Sequence, residues 1–361
     1  MTAYSPKTLP EAYGTLDYSS FMDELIDASG ALEVYREKIK DSKVDSTWFL
    51  PTLQRRDAIA SLKIEGTQAT LDGVLINQVE PNNRDNNVNE VLNYIKASEI
   101  GCLRLKRGDF DRELFCEIHR ALLSGSVRKN NKGTIGAYRT GQNYIGRNEG
   151  EVIYTPPKPE DVPGLMDNLI AYINEDDQKM RSLVRVAIIH AQFETIHPFD
   201  DGNGRVGRIL IPLYLYVKGE IPLPYFFISE ALERDKLKYY KLLMDTREPG
   251  RWNEWIRFFL ETVSKQCRRH IGIIDDINSF YKKATEQARQ LFKSTLIDQL
   301  FDMMFQSPIF TAKVLHDRTG IPVTTINRYL NKLADHNLIY SAGKKRNRIF
   351  FFYDLLSLLK E

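Results

Sequence analysis

Apolar residues recur at Phe21, Leu25, Ala28, Leu32 and Tyr35, a spacing close to 3.6 that predicts a helix over residues 21–40. A second helix is expected over 51–64, with Gly66 in the position of a C′ glycine. Beyond a polar loop at 80–87, which holds Pro81 and four asparagines, the period returns over 88–100. It returns again over 110–123, entered through Asp109 or Asp111. Then it fails. Residues 125–159 carry Gly133, Gly136, Gly141, Gly146, Gly150 and the pair Pro156-Pro157, few of them helix formers. Inside that stretch Asn143-Tyr144-Ile145 and Val152-Ile153-Tyr154-Thr155 predict a short hairpin, whose exposed edge is a template for an extended peptide.

The helical period resumes over 163–173 and 182–196, the second apolar enough to be central. The next helix, 205–218, contains Pro212, an interior proline that removes a ladder bond at a cost of ~3 kcal/mol. Helices over 230–247 and 252–274 follow, while residues 1–20 read as an extended arm. At the far end, 310–320 and 321–333 read as helix, glycine turn, helix, with Thr311 as N-cap and Thr324 or Thr325 starting the second helix. Residues 338–352 read as strand, basic turn, strand, and helix-turn-helix plus hairpin is the order of a winged helix. The chain is therefore expected to be mainly α, in three units at 1–105, 106–275 and 285–361.

Composition changes this picture little. A length of 361 residues exceeds the ~250–300 at which one core stops growing, so two or three domains are expected. A net charge of +2 argues neither for nor against nucleic acid. Three cysteines, far apart and without metal-ligand spacing, point to a reduced, cytoplasmic protein. No signal peptide and no membrane-spanning apolar run are visible.

One stretch is explained by no packing requirement: His197-Pro-Phe-Asp-Asp-Gly-Asn-Gly-Arg-Val-Gly-Arg208. Gly202, Asn203 and Gly204 free the backbone to aim N–H groups at one point, an anion nest at the mouth of a helix. Arg205 and Arg208, three apart, project from one face of that helix and suit further phosphate oxygens. Asp201 is a hard oxygen ligand suited to magnesium, and the ordinary pKa of His197, ~6.5, suits it to take a proton from a hydroxyl. A plainer reading is a polar turn with Asp200 or Asp201 as the helix N-cap.

The stretch resembles the signature of the Fic family, His-x-Phe-x-(Asp/Glu)-Gly-Asn-Gly-Arg-x-x-Arg, at every specified position. The resemblance implies a mostly helical fold that transfers AMP from ATP to a protein hydroxyl. On that likeness His197 is the general base and Asp201 the Mg2+ ligand. Nucleotide is bound along Gly202, Asn203, Gly204, Arg205, Val206, Gly207 and Arg208, with the two arginines gripping the β- and γ-phosphates. Many relatives also carry (Ser/Thr)-x-x-x-Glu-(Gly/Asn) as an inhibitory motif, and Ser61, Glu65 and Gly66 match it. Glu65 would then pair with Arg208 and obstruct the γ-phosphate, with Ser61, one turn earlier, bonding to Glu65.

The hairpin resembles the family's flap, which implies that Val152, Ile153 and Tyr154 cover the site and align the target segment. Tyr239 and Tyr240 resemble a pair that lines the nucleotide pocket, although Asp245, Thr246 and Arg247 stand where relatives often have an asparagine. In the C-terminal unit Thr324, Asn327 and Arg328 would face a DNA groove and Lys344, Lys345, Arg346 and Arg348 would meet phosphates. Winged helices serve equally as protein-binding modules. Relatives often form homodimers, and partners include a target protein or the chain itself. Other readings are removal of AMP through Glu65, or a transcription regulator whose core senses nucleotide. Kinase relatives carry lysine where this chain has Gly204.

Overall fold

The computed structural model describes residues 2–42, 46–79, 85–125, 134–146, 152–176, 179–248, 250–342 and 348–360, without the side chains of 46–48. The basic turn at Lys344, Lys345 and Arg346 and the turn of the hairpin lie outside the described residues. The order of elements is α1 (Met22–Lys40), α2 (Ser46–Ile64), α3 (Leu71–Val79), α4 (Asn86–Leu105), α5 (Arg112–Leu122), β1 (Ile145–Gly146) and β2 (Val152–Tyr154). Next come α6 (Val162–Asn174), α7 (Ser182–Ile196), α8 (Asn203–Val217), α9 (Ser229–Arg234), α10 (Lys236–Asp245) and α11 (Trp252–Leu291). The C-terminal part is α12 (Leu296–Gln306), β3 (Ile309–Thr311), α13 (Ala312–Thr319), α14 (Val323–Asp335), β4 (Tyr340–Ser341), β5 (Ile349–Phe351) and α15 (Tyr353–Lys360).

Helix α7 is the axis of the fold. Every residue from Leu183 to Ile196 is buried, the polar Arg185, His190, Gln192 and Glu194 along with the apolar majority. It packs against α6, α8 and α11, and α8 packs in turn on α4 and α5. A Cβ on Gly101 in α4 would come within 2.5 Å of Leu213 in α8, so glycine sets how closely those helices approach. Pro212 sits inside α8, and the helix continues past it. Leu210, Ile211, Leu213 and Leu215 are all buried, and at ~1.5–3 kcal/mol per side chain their burial outweighs the ~3 kcal/mol cost of the proline.

Four elements differ from the pattern. The helix expected over 230–247 is broken at Asp235 into α9 and α10. Asp235 closes one by donating its N–H to Ala231 and opens the other by accepting from Tyr239, which turns Tyr239 inward. The helix expected over 252–274 runs on to Leu291, forty residues and about 60 Å, because Ile277, Ala284 and Ala288 keep an apolar stripe through a polar stretch. Helix α2 starts at Ser46, ahead of Pro51, and α3 lies in a segment with no predicted element.

At the C-terminal end, β3, β5 and β4 form an antiparallel sheet in that order, beside α13 and α14. Thr311 caps α13 by accepting from Val314, Gly320 closes it at φ 70°, and α14 begins at Val323 after Pro322. This region packs on two N-terminal helices, α12 against α2 and β3 against α3, and on the long helix that precedes it, α15 against α11. No helix among the described residues is long and apolar enough to cross a membrane.

Candidate active site

Helix α7 ends by delivering His197 in the left-handed region, at φ 51° and ψ 60°. A non-glycine residue there stores about 1–3 kcal/mol and persists only where its surroundings fix it. Here its N–H donates to Phe193 and its carbonyl accepts from Arg139 Nε, both at 2.9 Å. The half-buried ring keeps Nδ1 buried with no hydrogen-bond partner among the described residues. Burial, and then the charges of Arg247 and Arg139, push its pKa down to about 4. The imidazole is therefore neutral at pH 7 and able to take a proton.

The turn that follows is shaped by Asn203. Its Oδ1 accepts from Phe199 N–H and its Nδ2 donates to Phe199 O, both at 2.8 Å, so this side chain is spent on the loop and only its backbone faces a ligand. Gly202, at φ 80°, is the N-cap of α8, and no side chain caps that helix. The expected cap at Asp200 or Asp201 is thus corrected. Asp201 Oδ1 accepts from Gly202 N–H at 2.7 Å and from Arg205 Nη2 at 3.2 Å. The first intrahelical bond is donated by Val206 to Gly202 O. The N–H groups of Asn203, Gly204 and Arg205 therefore have no acceptor within the helix.

Above this nest stands Glu65. A Cβ on Gly204 would come within 2.5 Å of Glu65 Oε1, which measures how closely the carboxylate covers that backbone. Arg208, fully buried, donates Nη2 to Glu65 Oε1 at 2.7 Å, Nε to Ser61 Oγ at 2.8 Å and Nη2 to Ser61 O at 3.0 Å. Ser61 therefore holds the arginine, where the sequence suggested it would hold the glutamate. Burial by itself would raise the Glu65 carboxyl; the Arg208 guanidinium overrides it and holds the pKa below the usual value. Gly66 closes the motif at φ 90°.

Strands β1 and β2 pair antiparallel, Ile145 opposite Tyr154 and Gly146 opposite Val152. Val152 and Ile153 are half-buried, whereas Tyr154 is buried, donates to Thr195 O at 2.7 Å and carries the Arg247 guanidinium 3.3 Å from its ring centre. The N-terminal arm runs alongside, with Tyr4 N–H donating to Thr155 O at 2.9 Å. Of the tyrosine pair, Tyr239 is interior, its hydroxyl 2.9 Å from His190 Nε2. Because His190 Nδ1 must donate to Gly207 O, Nε2 accepts from Tyr239. Tyr240, 38% exposed, is the member left with an accessible face. Val206 and Gly207 are buried in α8, and a Cβ on Gly207 would strike Glu194.

Sequence reasoning missed three residues that build the site. Arg139 is buried and ties His197 O, Gly141 O and Pro157 O together. His119 accepts from Gly136 N–H at 2.9 Å, so its Nε2 donates to Asp201 O at 3.0 Å, while its ring stacks on Phe199. Asn143 donates to Phe199 O at 2.9 Å. All three work through backbone carbonyls or amides, which leave no spacing in a sequence. Among the described residues no three His, Cys, Asp or Glu side chains gather as a metal cluster.

Residues 109–215 match the Fic/DOC family and residues 22–102 the N-terminal segment of that family. A probable protein adenylyltransferase of Aquifex aeolicus is 28% identical over 202 residues, 55% of this chain and 57% of that one. The protein adenylyltransferase Fic of Drosophila willistoni is 27% identical over 232 residues, 63% of this chain and 42% of the relative. A counterpart in Caenorhabditis elegans is 26% identical over 157 residues, covering 43% and 28%. The chain thus spans from about a quarter to just over half of those relatives' lengths. The crystal structure of a Fic family protein from Desulfovibrio desulfuricans superposes with a TM-score of 0.59 at 21% identity, over 97% of this chain and 98% of that one. A Fic-domain signalling protein from Bacteroides thetaiotaomicron gives 0.57 at 19%, over 70% and 97%. These two likenesses concern the fold.

Proposed function

Because the chain belongs to the Fic/DOC family, we propose that it is a protein adenylyltransferase, moving AMP from ATP to a Ser, Thr or Tyr hydroxyl of a target protein or of itself, with Glu65 as a built-in brake. The observation that carries this reading is the meeting of two segments 143 residues apart: the Glu65 carboxylate lies on Gly204 and bonds to Arg208. The names borne by the Aquifex and Drosophila relatives point the same way.

In the reaction, the acceptor oxygen attacks the α-phosphorus, a new O–P bond forms, and the bond to the bridging oxygen breaks to release pyrophosphate. His197, kept neutral by burial and by its guanidinium neighbours, takes the acceptor proton, assistance worth ~10²–10⁴-fold. Open N–H groups at Asn203, Gly204 and Arg205 suit phosphate oxygens, and fixed donors of this kind supply the larger, electrostatic part of such catalysis. Arg205 and Arg208, both buried, hold the remaining phosphates, Arg208 once Glu65 withdraws. Asp201 fits magnesium, because that ion takes one or two carboxylates and fills its other positions with phosphate and water. When bound, the ion would neutralise phosphate charge. Strand β2, through Val152 and Ile153, aligns the target, and Tyr240 offers its ring to adenine.

Removal of AMP is the second reading, favoured by one observation: the Glu65 side chain is 30% exposed beside Gly204, where it can position a water. The order α13, α14, β4, β5 with β3 supports a winged helix that presents Thr324, Asn327, Arg328 and Arg348 to DNA or protein. Retention of duplex at low salt with steep loss at moderate salt supports the former. The transfer reading is tested with α-labelled ATP. The Glu65→Gly protein is expected to label itself or a lysate protein, and His197→Ala to bind ATP normally while labelling at least 100-fold more slowly. Equal labelling by the His197→Ala protein contradicts the assignment.

A further inference from the structure

Away from the signature turn, a cavity of about 380 Å³ opens between α2, α9, α11 and α15. Its wall carries five cations, Arg56, Lys63, Arg234, Arg269 and Lys360, and two carboxylates, Glu230 and Glu233. Glu230 already accepts from Arg56 at 2.6 and 3.2 Å and from Gln266 at 3.2 Å, and stands 3.5 Å from Arg269 and 4.0 Å from Arg234. Lys63 pairs with Glu233 at 2.9 Å. One carboxylate facing three guanidinium groups leaves the cavity with an excess of positive charge. Several guanidinium groups converging on one small space suit the tetrahedral oxygens of phosphate.

The cavity also touches α2, the helix that ends one residue before Glu65. Arg56 is buried on α2 and donates Nη1 to Leu359 O in α15 at 2.7 Å. Nine residues later, about 14 Å along the same chain, Glu65 grips Arg208. Lys360 of α15 reaches Asp72 of α3 at 2.8 Å, so the C-terminal helix fastens both α2 and α3.

We infer that this cavity is a second anion site, taking the phosphate group of a small phosphorylated molecule, and that its occupancy holds Glu65 against Arg208. An anion bonded to Arg56 and Lys63 on α2 and to Arg234 and Arg269 on α9 and α11 ties the brake helix to the rest of the molecule. The binding half stands by itself; the regulatory half rests on the transfer reading.

The test uses the full chain, inorganic phosphate as probe, and the double variant Arg234→Ala/Arg269→Ala, whose side chains are 49% and 34% exposed and so leave the core intact. Calorimetric titration is expected to show phosphate binding to the wild type and at least tenfold weaker binding to the double variant. Equal affinity in the two proteins, or no binding to either, overturns the site. Self-labelling from α-labelled ATP is then followed as phosphate is raised. Competition at the nucleotide site acts on both proteins alike, so the expected result is a several-fold greater loss of labelling in the wild type. Parallel loss overturns the coupling while leaving the site. Absence of labelling in wild type, double variant and Glu65→Gly alike sinks the transfer reading and the coupling together, with the binding result untouched.

Discussion

Arg208 is held by the hydroxyl and carbonyl of Ser61 and by the carboxylate of Glu65, so on the proposed reading a phosphate competes with Glu65 for this guanidinium. Removing the glutamate frees one guanidinium edge and uncovers Gly204. The Glu65→Gly change is expected to raise labelling at least tenfold in a timed α-labelled ATP assay; unchanged labelling removes the brake from the account. Asn203 works differently, through two buried bonds that fix Phe199. Asn203→Ala leaves the buried Phe199 N–H without its partner, a penalty of about 1–3 kcal/mol, while Asn143 still donates to Phe199 O, and it is expected to lower the melting temperature by a few degrees. At this scale the sequence announced glycines, acids and arginines as one cluster. It gave no structural role in the site to His119, Arg139 and Asn143, whose partners are backbone atoms.

Helices carried the most readable signal. Helix α7 is legible because apolar residues surround it, and α1, α4 and α6 because apolar residues recur on one side. Legibility failed where two signals competed. The acids and lysines of 275–283 look like a linker, yet α11 passes through them because its buried positions persist. Asp235 looks like one more helix-surface residue, yet its backbone ends one helix and begins the next. The hairpin and its root depend on Arg139, which ties the chain before β1 to Pro157 after β2. Arg139→Ala is expected to speed limited proteolysis within 134–157 and to slow transfer at least tenfold; an unchanged cleavage pattern would show that β1 and β2 hold without it.

Across the whole molecule, acid is expected to loosen the fold. Burial lowers the pKa of His119, His197 and His270 to about 4 and of His190 to about 3, so all four are neutral when folded and take up protons below ~6.5 when unfolded. Two buried carboxyls act in the opposite sense: Glu194 is raised to about 7 and Asp57 to about 6, so each holds a proton in the folded state that the unfolded chain releases. Between pH 6 and 4.5 the four histidines outweigh the two acids, the unfolded chain binds more protons, and stability falls as pH falls. A melting temperature that rises on acidification through this window would contradict the balance. The claim on which the rest stands is that the turn after α7 presents the innermost phosphorus of ATP to His197. The most direct measurement gives the Glu65→Gly protein ATP labelled either at the α- or at the γ-phosphate. Covalent label from the α-position alone is the predicted result; label from the γ-position, or from neither, would contradict it.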